Sequence, residues 1–243
     1  MKRYRGELLT LVLLLLVAAA VAWWWDQGQL DDEPSPSTAT AAPSAAASAP
    51  SGGVAGKDTA LALLAKLPQA AQSHWDSYTR ASFGDPLWTD DTDAPGGRNG
   101  CDTRDDVLRR DLTGARLGTG NPCVVLSGAL HDPYTGKTLP YDRSRASEIE
   151  IDHVVAVAAA WRAGAWSWSL DRRRAFANDV DNLLAADKTA NQDKRSQTPD
   201  HWKPSRREAW CDYARRYVTA KSRYALSVTS PEATALGEML TTC

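Results

Sequence analysis

The stretch IEIDHVVAV, residues 149–157, decides the fold when it is read with VDNLLAADKTANQDK, residues 180–194. The first is a β-prone run holding the adjacent pair Asp152 and His153. The second passes from a short apolar strand into a polar segment and carries Asn182 and, nine residues on, Asn191. Side chains alternate between the faces of a strand, so Asp152 and His153 cannot both project inward from a regular strand. The expected unit is two strands, at 148–153 and over DNLLAA, with a helix over 187–195 that brings Asn191 back toward Asp152.

These residue types suit one kind of chemistry. A histidine near its free pKa takes a proton from water. A divalent ion neutralises a phosphate and helps the departing oxygen, and Mg²⁺ needs few protein oxygens because it keeps several waters. With GGRNGCDTRDDVLRRDL, CVVLSGALHDPYTGK and EIDHVVAVAAAWRAGAW, the two stretches make the chain resemble the HNH endonucleases, the ββα-metal nucleases. Within that family it is similar to the secreted bacterial branch related to the nuclease end of the GmrSD-type modification-dependent restriction enzymes. The resemblance covers roughly residues 74–243.

What the resemblance implies is an α+β protein, with a ββα-metal core at about 148–196 embedded in a mostly helical domain at 57–243. His153 matches the general base, Asp152 and Asn191 match the metal ligands, and Asn182 matches the position that braces the turn through backbone bonds. The last motif position is Asn and not His, which favours an oxygen-preferring ion over zinc: Mg²⁺, with Mn²⁺ or another divalent ion as substitutes. The implied activity is hydrolysis of DNA, and of RNA as a second substrate, leaving 5′-phosphate and 3′-hydroxyl ends. Taken singly each residue has a plainer reading, since Asn182 caps a turn and Asn191 sits on a helix surface in most contexts. Glu150 shares strand parity with Asp152, and is read as a solvated or structural carboxylate or as support behind the metal ligands. His131 reads as hairpin structure, His201 as packing with Trp202, and His74 as exposed.

The formal net charge of −2 is unhelpful until it is divided. Residues 143–224 hold 16 basic against 11 acidic residues, and 57–142 hold 9 against 12. Basic residues therefore gather around the motif, and Arg172, Arg173, Lys194 and Arg195 are the candidates for phosphate contact. A solvated helix face is the alternative for each.

The chain opens with Lys2, Arg3 and Arg5, followed by 18 uncharged residues from Leu8 to Trp25. That is either a signal peptide ending at Ala20-Val21-Ala22 or an anchor holding the protein to a membrane, the Trp23–Trp25 run suiting the interface. Both place the rest of the chain outside the cytoplasm. Residues 26–56, rich in Pro, Ser, Ala and Thr, read as a flexible linker. In an oxidising compartment Cys101, Cys123, Cys211 and Cys243 favour disulfides. Of three connectivities, the local closures 101–123 and 211–243 are preferred, each worth on the order of 3 kcal/mol. A rival reading is a non-catalytic extracellular binding module that keeps the fold, and a toxin-like nuclease is a third.

Overall fold

A computed structural model describes residues 53–243; the expected signal or anchor segment and most of the expected linker lie outside them. No helix among the described residues is long and apolar enough to cross a membrane. The architecture mixes helices with two small antiparallel sheets. After α1 (Lys57–Leu64) and an irregular stretch come α2 (Thr103–Asp111) and a meander of β1 (Leu112–Leu117), β2 (Val125–His131) and β3 (Thr138–Asp142). Then β4 (Ile149–His153) leads through α3 (Val157–Arg162) and α4 (Leu170–Ala177) to β5 (Leu183–Asp187), which runs straight into α5 (Lys188–Lys194). Helices α6 (Trp210–Arg223) and α7 (Ser230–Leu240) complete the chain.

Local chemistry explains most boundaries. Asp102 caps α2 by accepting from the Asp105 N–H, with acidic residues in the first turn and Arg109 and Arg110 in the last, as the helix dipole favours. Ser169 caps α4 and Asp187 caps α5 in the same way. Thr229 and Glu232 form a reciprocal capping box at α7, with Pro231 in its first turn. The sequence also suggests a capping box of Ser205 and Glu208 for α6, and that box does not form. Ser205 donates its hydroxyl to the Tyr134 carbonyl instead, and α6 starts at Trp210 after a short 3₁₀ turn.

The pair β4–β5 is in register from Ile149 opposite Asp187 to His153 opposite Leu183. Its period of two splits its side chains between two cores. Ile149, Ile151, Leu183 and Ala185 pack with Val107 and Leu108 of α2 and with Leu130 of the meander. Leu184 and Ala186 join a larger core built on Tyr213, Tyr217 and Val218 of α6 together with Phe83, Trp161 and Phe176. Cys101–Cys123 ties the start of α2 to the β1–β2 turn, and Cys211–Cys243 ties α6 to the residues after α7, with Cα atoms 5.2 and 5.0 Å apart.

Candidate active site

The end of β4 opens on a cavity of about 560 Å³. His153 is in its wall, only 5% exposed. Its ring lies parallel to Trp88 on one side, centroids 5.3 Å apart, and to Phe176 on the other at 6.5 Å. Nε2 is 2.9 Å from the Ala177 carbonyl. A carbonyl only accepts, so Nε2 carries the proton and Nδ1 of the neutral ring keeps its lone pair. No residue among those described bonds Nδ1. Burial drives the pKa of His153 down to about 3, against the opposite pull of the Ala177 bond. The ring is neutral in the folded protein at ordinary pH.

Asp152, one residue back, is also buried, and both of its oxygens are taken. Oδ1 accepts from Lys194 Nζ at 2.9 Å and Oδ2 from the Tyr134 hydroxyl at 2.5 Å. Burial raises the Asp152 pKa, with Lys194 and Tyr134 working against it. Lys194 has no exposed surface and also donates to the His153 carbonyl at 2.8 Å. It thereby joins the end of α5 to the end of β4.

The carboxylate that meets Asn191 is Glu150. Asn191 Nδ2 donates to Glu150 Oε2 at 2.8 Å, and Gln192 Nε2 to Oε1 at 3.2 Å. Glu150 and Asn191 line the same cavity as His153, so oxygen donors from β4 and α5 meet there. Asn182 is fully buried: its Oδ1 accepts from the Val155 N–H and its Nδ2 donates to the Val155 carbonyl, while its own carbonyl accepts from Val154. These bonds hold the turn after β4 against the start of β5.

Of the four residues expected to contact phosphate, Arg195 lines the cavity. Arg172 donates to the Tyr224 carbonyl and lies over Trp168. Arg173 donates to the Ser82 and Trp168 carbonyls and lies over Trp161. Lys194 is sealed in the interior, and none of these three residues lines the cavity. The cations in the cavity wall are Arg80, Arg104 and Arg195. Arg80 and Arg104 lie far from the motif in sequence, as does Trp88, which is placed by Asn178. Asn178 accepts from the Thr89 N–H and donates to the Leu87 carbonyl. No local pattern marks these residues, and only the fold gathers them. His201 is mostly exposed beside Asp200, His131 lies against Arg206, and His74 stacks on Trp166.

The family model for the C-terminal domain of GmrSD restriction endonucleases matches residues 102–239. A protein of Arthroderma benhamiae described as an uncharacterized secreted protein is 41% identical over 187 residues, covering 76% of this chain and 85% of that one. No solved structure matches the chain.

Proposed function

The chain belongs to the family of GmrSD restriction endonuclease C-terminal domains, and from that premise we propose that it is an exported, metal-dependent endonuclease hydrolysing phosphodiester bonds in DNA. The observation that carries this reading is the environment of His153. Its Nε2 is held by the Ala177 carbonyl, which leaves Nδ1 as the basic nitrogen of a ring in the wall shared with Glu150, Asn191 and three arginines. His153 takes the proton of the attacking water at Nδ1. Arg80, Arg104 and Arg195 bind and orient the phosphate. An anion entering the cavity favours the charged imidazolium, so the base strengthens when substrate arrives.

The donor set fits a hard cation. Glu150 offers a carboxylate and Asn191 an amide oxygen, the two side chains being joined by the Asn191 Nδ2 donor, and among the described residues no three of His, Cys, Asp and Glu gather as a cage. Mg²⁺ is suited to such a site, because it draws few ligands from protein and keeps its remaining waters. We assign Glu150 and Asn191 to hold it, since Asp152 would first have to give up the Lys194 ammonium. When bound, the ion neutralises the phosphate and stabilises the departing 3′ oxygen. Asp152, Lys194 and Tyr134 hold the strand end that presents His153.

Supercoiled plasmid with and without Mg²⁺ or Mn²⁺ tests the reading. Nicking or linearisation is expected to need the metal, and His153→Ala is expected to abolish it while DNA binding persists. Cleavage by His153→Ala at the wild-type rate would sink the mechanism. Folded protein that cuts neither DNA nor RNA with any divalent ion would favour the binding-module reading.

A further inference from the structure

A second cavity, of about 480 Å³, adjoins the first: Ser196 lines both. Its wall includes Gln72, Trp75, Arg162, Gln197 and His201. Trp75 is 61% exposed and Trp166 is 42% exposed, and they are the only exposed large aromatics among the described residues. Trp166 stacks on His74, the residue before Trp75, with centroids 3.8 Å apart. Tryptophan is usually well buried, and Trp75 left open in a cavity wall marks a contact surface.

The platform is held in place. The Arg162 guanidinium lies 4.3 Å from the Trp75 ring centre, and it is fixed by donating to Gln72 Oε1 and to the Ser196 carbonyl, both at 2.8 Å. Trp161 Nε1 donates to Ser77 Oγ, pinning the turn that carries Trp75. With one face under Arg162, an exposure of 61% requires the other face of Trp75 to be open.

Resting on the nuclease reading above, we propose that this cavity receives an unpaired nucleobase next to the phosphate in the catalytic cavity, so that the substrate is single-stranded or locally unpaired nucleic acid. A flat open indole beside a fixed guanidinium binds a base by its π-face. The Gln72 and Gln197 amides offer donors and acceptors to its edge. A base inside a duplex has its faces covered by its neighbours and cannot use such a platform.

The test uses the full-length protein carrying His153→Ala, so that binding is read without cutting. Fluorescence anisotropy with Mg²⁺ compares a labelled single-stranded oligonucleotide with a duplex of the same sequence. The single strand is expected to bind more tightly. Adding Trp75→Ala or Trp75→Leu is expected to weaken the single strand about tenfold and to leave the duplex unchanged, while Trp75→Phe keeps most of the affinity. Single-strand affinity unmoved by Trp75→Ala overturns the subsite, as does a Trp75→Leu variant that binds like wild type. Equal losses on both substrates also overturn it. Failure of both nucleic acids to bind the parent protein would instead overturn the nuclease reading, and the subsite with it.

Discussion

Burial strips water from the His153 ring, and the sign of the resulting pH effect can be worked out. The unfolded chain protonates this histidine near pH 6.5 and the folded chain only near pH 3. Between those values the unfolded state holds the extra proton, so stability falls as pH falls from about 6.5 toward 3. His153→Phe keeps a flat ring between Trp88 and Phe176 and removes the titration. Urea unfolding at a series of pH values should show the variant gaining on wild type from pH 7 to pH 4, by up to about 1.4 kcal/mol per unit. A difference that does not vary with pH would mean that the folded ring protonates freely. The two nearby carboxylates should separate just as clearly. Glu150→Gln is expected to raise the metal concentration for half-maximal cleavage tenfold or more, with little change in stability. Asp152→Asn should act chiefly on folding, because removing one partner of a buried pair costs about 3–5 kcal/mol. Metal titration and denaturation of both variants distinguish the roles, and the reverse pattern would return Asp152 to the metal. That His153 and Asn191 reach one cavity and that Asn182 bonds backbone at the turn was legible from their spacing. That Asn191 bonds Glu150 and not Asp152 was not, because Lys194 and Tyr134, 42 and 18 residues away, take both Asp152 oxygens, although both carboxylates line the cavity.

Among the elements, β4, β5 and α5 announce themselves through apolar runs and an Asp cap, and the strands on either side of the DPYTG turn do so through β-prone composition. The strand β1 does not, since its TGARL stretch has a glycine and little alternation, and it pairs with β2 through irregular register. The loop between Gly84 and Gly100 reads as irregular, and so it is, yet it carries Trp88 onto His153. Asn178 makes this loop part of the site by bonding Thr89 and Leu87, and it also accepts from the Thr103 hydroxyl. Asn178→Ala would leave these buried groups unpaired, at a cost of about 1–3 kcal/mol. It should lower the cleavage rate by more than this loss of stability explains at temperatures where the protein stays folded, since Trp88 loses its fixed place over the imidazole. Single-turnover rates beside unfolding midpoints check this, and a rate unchanged in the folded variant would make the Trp88 stack incidental.

At the scale of the whole molecule, the β4–β5 ribbon stands between two cores, and each core has its own disulfide. That both bridges are local closures follows from short sequence separations, whereas what each one guards depends on the packing. Cys101–Cys123 closes a loop of separation 22 around α2, the helix that delivers Arg104 to the cavity. Cys211–Cys243 has separation 32 and clamps α7 to α6, with neither of its cysteines in the cavity wall. Chain-entropy reasoning makes them similar in stability, about 3 kcal/mol each, or roughly 6–12 °C in Tm for a protein of this size. They should nevertheless differ in function. Cys101→Ser with Cys123→Ser is expected to lower both Tm and the cleavage rate well below the transition, because α2 and the Trp88 loop lose their outer tie. Cys211→Ser with Cys243→Ser is expected to lower Tm and leave the rate at low temperature nearly as in wild type. Calorimetry with plasmid cleavage at a temperature where both variants are folded decides the matter. Equal rates in the two variants would show that the core around α2 holds Arg104 without its disulfide.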